Sequence, residues 1–288
     1  MSIPIEQYNS INIPTWCPGC GNFAVQVALK KALSELNISP SEVFMAFDIG
    51  CNGNGVDRIN LYGFKGLHGR SIPLAVGAHL ANRKFTVLAD IGDGGCFHEG
   101  IDHLIHAIRS NYDITILIHN NENFALTTGQ ATLATKREKP MYGLPSGRPE
   151  RDINITQFIL SLQPAFFAKA YSGDPLQLTE IIKEAVNHKG CSVIEIMQLC
   201  PTYNKDFTPQ WAAQNIKKIE TVESYNNQSL DSALDLVKDQ TPVYTGILFK
   251  DNDMKTFYES LDSRKDSLTE LVDEVKQYDI KKLLEHIK

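Results

Sequence analysis

The feature that most constrains this chain is an alternation of short apolar runs with segments of helical periodicity. VFMAFDI (43–49), FTVLADI (85–91), ITILIHN (114–120) and CSVIEIM (191–197) are too short for helices and rich in strand-forming residues. Between them, apolar residues recur at three- and four-residue spacing: from a cap at Asn22 through FAVQVALKKALSEL, near 71–81, over 98–110 and over 175–188. Strands alternating with helices predict an α/β fold, a doubly wound and mostly parallel sheet with both faces covered. His188 falls at the end of the last of these helices, where a cation would favour the dipole.

Ligands of such sheets gather outside the carboxyl ends of the strands. The chemically unusual loops all follow strands: GCNGNG (50–55), GDGG (92–95), NNENFALTTGQ (120–130) and CPTYN (200–204). Segment 131–153 is rich in Pro, Gly and charge and is long for a connection, which marks it as functional or mobile. The character changes near residue 205. Residues 1–205 are therefore read as the main domain and 206–288 as a C-terminal extension that meets another subunit, with a strand at TPVYTGILFK (241–250) and an amphipathic helix near 265–287.

A formal charge of −6 argues against nucleic acid or an anionic membrane as partner. No run reaches the roughly 18 apolar residues of a membrane span, and the start MSIPIEQYNSINIPTW lacks the pattern of a secretory signal. The expected location is cytoplasmic, where the six cysteines stay reduced and free to bind metal.

Asp93 directly follows one strand and Asn120-Asn121 end the next, with a single helix between. Adjacent parallel strands would bring these oxygens to one point. Magnesium wants octahedral oxygen ligation and borrows phosphate oxygens, which a carboxylate from Asp93, an amide from Asn121 and a carbonyl at Asn123 would complement. Gly92, Gly94 and Gly95 allow close approach of a phosphate, and the next helix offers its N-terminus. GDG alone is an ordinary turn; GDG joined to NN at this interval resembles the magnesium-diphosphate motif of thiamine-diphosphate enzymes. A nicotinamide site is the competitor, but no G-x-G-x-x-G opens a helix after a strand.

WCPGCG (16–21) sets two thiols at the spacing of a local ligand pair. Cys51 and Cys200 follow strands and lie on the loop edge. For Cys17, Cys20, Cys51 and Cys200, a 4Fe-4S cluster, a structural zinc and a redox dithiol at WCPGC compete, and spacing does not separate cluster from zinc. Cys96 adjoins the diphosphate turn. Cys191 begins a strand at the opposite edge and reads as a buried structural thiol.

WCPGCG, IGC (49–51), LHGR (67–70), GDG (92–94), HLIHAIRSN (103–111), NN with LTTGQ (120–130) and CPTYN occur in the order of the beta subunits of 2-oxoacid:ferredoxin oxidoreductases, which residues 14–205 resemble. The resemblance implies 4Fe-4S ligation by Cys17, Cys20, Cys51 and Cys200, and magnesium ligation by Asp93, Asn121 and the Asn123 carbonyl. It implies a thiamine diphosphate lining of Gly50, His68, Gly92, Gly94, Gly95 and Leu126, with His68, Thr127 and Thr128 at the reacting end. Many relatives read GDGD and LTKGQ or LTGGQ where this chain has GDGG and LTTGQ, so Thr128 leaves the preferred 2-oxoacid open.

The implied activity is coenzyme A-dependent oxidative decarboxylation of a 2-oxoacid such as 2-oxoglutarate or pyruvate, with electrons passing to ferredoxin. A partner alpha subunit, in an alpha-beta or alpha2-beta2 complex, would complete the site. A non-catalytic iron-sulfur module leaves Asp93 and Asn121 idle, and a non-oxidative thiamine decarboxylase leaves WCPGCG idle.

Overall fold

The computed structural model describes residues 3–239, 241–274 and 285. In chain order the elements are α1 (Asn22–Glu35), β1 (Val43–Phe47), β2 (Tyr62–Lys65), α2 (Ser71–Ala81), β3 (Thr86–Gly92), α3 (Ile101–Ser110), β4 (Thr115–Asn120), β5 (Asn123–Phe124) and β6 (Gln130–Ala131). Then follow α4 (Ile155–Ser161), β7 (Phe166–Tyr171), α5 (Pro175–Asn187), β8 (Ser192–Met197), α6 (Pro209–Asn215), β9 (Ile216–Lys218), α7 (Leu230–Leu236) and β10 (Val243–Lys250). One eight-stranded sheet runs β2-β1-β3-β4-β8-β7-β10-β9, and its only antiparallel pair among the described residues is β7 with β10. The mostly parallel α/β sheet is as expected. A small hairpin of β5 and β6 stands apart from it.

Alternation along the central strands sorts their side chains into two cores. Val87, Ala89 and Ile91 of β3 and Ile116 and Ile118 of β4 face Ile72 of α2, Leu104 and Ile108 of α3 and Ile159 of α4. Leu88 and Leu117, one residue out of phase, face Leu29 and Leu33 of α1 and Leu178 and Ile182 of α5. Strands buried on both sides read as continuous apolar runs, which is why the central ones are visible in the sequence. Truncating a wholly buried member such as Leu33 to Ala would cost about 2–5 kcal/mol.

Several expectations are corrected. Asn22 is the first residue of α1, not its cap; Gly21 holds the cap position, and the Asn22 amide turns inward to Nδ1 of His119 at 2.9 Å. The helix expected over 98–110 divides into a wide π turn at Gly95–Glu99, a break at Gly100 and α3. His188 does not serve the helix dipole: it is buried against Phe166, and burial pushes its pKa down to about 4, so its imidazole is neutral.

The residues after 205 add β9 and β10 to the same sheet, β10 falling within the strand expected at 241–250. Arg83 clamps this extension to α2 with a two-pronged contact to Glu270, Nε to Oε2 and Nη2 to Oε1, both at 3.0 Å. Of the helix expected near 265–287, residues 275–284 and 286–288 lie outside the described residues, while 265–274 form turns and a short 3-10 helix at Leu271–Glu274. Among the described residues no helix is long and apolar enough to cross a membrane.

Candidate active site

Because β1, β3, β4 and β8 run parallel, the four loops that follow them share one edge. Gly92 at the end of β3 lies beside His119 of β4, so the GDGG turn and the NN turn leave the sheet side by side. Asp93 is buried, and burial pushes its pKa up to about 7. Its carboxylate accepts from Oγ1 of Thr132 at 2.6 Å and from the backbone N–H groups of Asn121 and Gly94. The Asn121 amide donates from Nδ2 to Oε1 of Gln198 at 2.8 Å, and its Oδ1 receives the Asn123 N–H at 3.1 Å. Oδ1 of Asn123 is buried without a hydrogen-bond partner. The Asp93 carboxylate and the oxygens of the Asn121–Asn123 turn thus belong to one hydrogen-bonded cluster, and a nearby cation would help to ionise the acid; as a donor set they fit magnesium with diphosphate.

Two glycines of this turn have a visible packing reason. A Cβ on Gly94 would stand 2.2 Å from the Phe124 ring, and one on Gly95 would stand 1.9 Å from Oδ2 of Asp48. Asp48 carries no local motif, lying within the apolar run VFMAFDI. It is fully buried at the end of β1, accepts the Gly69 N–H at 2.6 Å, and leaves Oδ2 without a hydrogen bond, 3.9 Å from Nε2 of His68. Burial pushes its pKa up to about 6. His68 is partly exposed, with Nδ1 at 3.2 Å from Glu99 Oε2 and its ring beside Phe124. Gly50, with φ at +112°, and Gly92 both back onto Oδ1 of Asn52, whose Nδ2 donates to Asp90 at 2.5 Å.

Segment 131–153 packs on the Asp93 side of this edge. Thr132 holds Asp93, Thr135 Oγ1 donates to the Glu122 carbonyl at 2.6 Å, and the buried Arg148 donates to the Thr132 carbonyl. The loop before it forms a tight turn in which Leu126, Thr127 and Thr128 are exposed. Thr127 Oγ1 donates to Gln130 Oε1 at 2.6 Å, and Thr128 adopts a φ of +82°, a strained position for a β-branched residue.

The four cysteines of the predicted quartet come from three loops and lie near one another. The Cys51 thiol is pushed up to about 12, first by burial and then by potential charge on Cys20, Cys200 and Cys17. Cys20 is pushed up to about 11, chiefly by burial, with Cys200 and Cys17 adding to it and a backbone N–H from Asn22 opposing it. Trp16 Nε1 donates to the Cys51 carbonyl at 2.6 Å, and the Gly21 N–H donates to the Leu199 carbonyl at 2.9 Å, so the WCPGCG loop is tied to the backbone carbonyls of the other two. Among the described residues, no three His, Cys, Asp or Glu side chains are gathered closely enough to hold a single metal ion. As donor chemistry, four thiols on one rim fit an iron-sulfur cluster. Cys96 and Cys191 are fully buried elsewhere, and burial raises both thiols.

Gln198 is the residue that sequence reasoning missed most. It is 1% exposed and touches both halves of the site, through Asn121 and through a 3.3 Å contact of Nε2 with the Cys20 sulfur. Its one advance signal was a polar residue interrupting an apolar run just before Cys200.

The family match over residues 48–196 makes the domain that carries this turn a thiamine-diphosphate-binding domain. Residues 48–196 match the family described as thiamine pyrophosphate enzyme, C-terminal TPP binding domain, and residues 200–266 match the family of the C-terminal part of the pyruvate ferredoxin oxidoreductase beta chain. The beta subunit of 2-oxoacid:ferredoxin oxidoreductase 1 from Aeropyrum pernix is 37% identical over 211 residues, covering 73% of this chain and 66% of that one. The beta subunit of the 2-oxoacid:ferredoxin oxidoreductase from Saccharolobus solfataricus is 37% identical over 213 residues, covering 73% and 70%, so the match spans about two thirds of the length of each relative. A solved structure of 2-oxoglutarate:ferredoxin oxidoreductase from Magnetococcus marinus, with 2-oxoglutarate, coenzyme A and succinyl-CoA bound, superposes with a TM-score of 0.87 at 28% identity, covering 99% of this chain and 96% of that one. The chain belongs to the family of 2-oxoacid:ferredoxin oxidoreductase beta subunits, and is thus part of an oxidoreductase.

Proposed function

We propose that this beta subunit, joined to its alpha subunit in the cytoplasm, catalyses coenzyme A-dependent oxidative decarboxylation of a 2-oxoacid such as 2-oxoglutarate or pyruvate, passing electrons to ferredoxin. The observation that carries the proposal is the meeting of an oxygen-donor turn and four thiols on one sheet edge, bridged by Gln198. Asp93, Asn121 and the Asn123 carbonyl would hold magnesium and, through it, a diphosphate lined by Gly50, Gly92, Gly94 and Gly95. Bound thiamine diphosphate supplies an electron sink that stabilises carbanion character at the substrate carbon. Cys17, Cys20, Cys51 and Cys200 would hold a 4Fe-4S cluster, which accepts electrons one at a time.

The protein's own contribution is placement. Thr132 keeps one Asp93 oxygen engaged, and Asn204 Nδ2 holds the Asn121 carbonyl at 3.0 Å, so both proposed ligands are preset. His68, Thr127 and Thr128, with Leu126, stand on the exposed side of the turn, where substrate and the alpha subunit would meet them.

Anaerobic purification of the co-expressed alpha-beta complex tests the reading. Four iron and four sulfide per beta chain, bound thiamine diphosphate and 2-oxoacid- and coenzyme A-dependent reduction of ferredoxin are the expected results. Zinc in place of iron, or turnover by the beta chain alone, would overturn it.

A further inference from the structure

Two centres that exchange electrons work best at a fixed separation and with matched energies, and one buried side chain spans the gap between them here. Gln198 follows β8, and its backbone N–H is pinned to the Asn120 carbonyl at 2.8 Å. Its Oε1 accepts from Nδ2 of Asn121 at 2.8 Å, while Nε2 donates to the Cys20 sulfur at 3.3 Å and to the Leu199 carbonyl at 3.0 Å. The amide has only one workable orientation. A flip would set its NH2 against the Asn121 NH2, and its oxygen against a carbonyl oxygen and a sulfur.

We propose that Gln198 is a positioning residue that couples the metal-diphosphate loop to the thiol quartet, orienting Asn121 with its oxygen and stabilising negative charge on the Cys20 sulfur with its N–H. The inference rests on reading Cys17, Cys20, Cys51 and Cys200 as cluster ligands, and adds to it a residue that binds neither metal. A hydrogen bond to a ligating sulfur favours the reduced cluster, because reduction adds negative charge, so it raises the reduction potential. The coupling is also reciprocal. Whatever fixes Asn121, such as magnesium and diphosphate in the loop, alters how firmly the Gln198 amide is held, and therefore how strongly it serves Cys20.

The test is an EPR-monitored redox titration of the anaerobic alpha-beta complex, with and without thiamine diphosphate and magnesium, for wild type, Q198L and Q198E. Leucine keeps the volume and removes both contacts. Glutamate keeps the shape and an acceptor for Asn121, but as a carboxylate has no donor for Cys20. In wild type, loading the loop shifts the cluster potential. In Q198L the reduction constant falls about tenfold, a 59 mV drop for one electron, and the shift on loading disappears. Q198E lowers the potential at least as far. Iron and sulfide content stay at the wild-type value in both, which separates tuning from folding. Wild-type potentials in both variants, or loss of the cluster from both, would overturn the coupling role. A wild-type complex without iron would instead overturn the cluster reading on which it rests.

Discussion

The diphosphate turn and the thiol rim lie on the same edge of the sheet, yet are built in opposite ways. At the turn, the Asp93 carboxylate is engaged by the Thr132 hydroxyl and two backbone N–H groups. Along the rim, the loops are tied through backbone carbonyls, and Cys20 alone among the four sulfurs receives a side-chain donor among the described residues. The turn is assembled by the protein before any ligand arrives. The rim has only brought its thiols near one another, so its final geometry would be left to the proposed cluster, as in sites where metal binding supplies part of the folding energy.

The largest expected effect follows directly. Cys51→Ser removes one of the four proposed cluster ligands from a rim with little order of its own, so iron and sulfide are lost almost entirely, while the diphosphate turn survives; metal analysis beside a thiamine diphosphate binding isotherm measures both. Conversely, Asp93→Asn leaves iron in place and weakens magnesium-dependent cofactor binding by more than about 100-fold, since the one charged member of the proposed magnesium ligand set is lost outright. If both functions collapse together in either variant, the two regions are one cooperative unit and the contrast between them fails.

Asp48, behind the turn, sharpens the comparison through pH. Its folded-state pKa is raised from 3.8 to about 6 by burial, so the folded chain keeps a proton that the unfolded chain has already lost. The stability this confers is present below about pH 4 and is lost as pH rises through about 6, to the extent of about 3 kcal/mol. Asp48→Asn should remove that slope, leaving the variant more stable than wild type in urea at pH 7.5 and no more stable at pH 4. Equal urea midpoints for the two proteins at pH 7.5 would show that the carboxylate has found compensation. The smallest effect belongs to Thr132→Val, which deletes one hydrogen bond to Asp93 and should weaken cofactor binding about tenfold without touching iron content.

Much of this layout is legible in the residue order. The apolar runs became β1, β3, β4 and β8, and the loops carrying GDGG, NN and CPTYN came to one edge because consecutive parallel strands must point the same way. Other elements were not visible. β2 is a four-residue edge strand, YGFK, exposed throughout, and so carries no burial period to read. β7, FFAKAY, interrupts its apolar run with Lys169, whose charge is met by Glu195 of the neighbouring β8 at 3.0 Å. The break in the expected helix at 98–110 comes from Gly100, which packs against the Gly69 carbonyl from a loop some thirty residues away.

Alone, the order of residues determined the parallel sheet, the edge on which its chemistry gathers and the residue types offered there, because strand and helix periods and local ligand spacings are short-range patterns. Tertiary structure alone decided that Gln198 meets Cys20 across 178 positions, that Thr132 meets Asp93 across 39 and that Asp48 lies under Gly95. Those pairings depend on how strands are ordered in the sheet and how loops pack over its rim, and no local period encodes either.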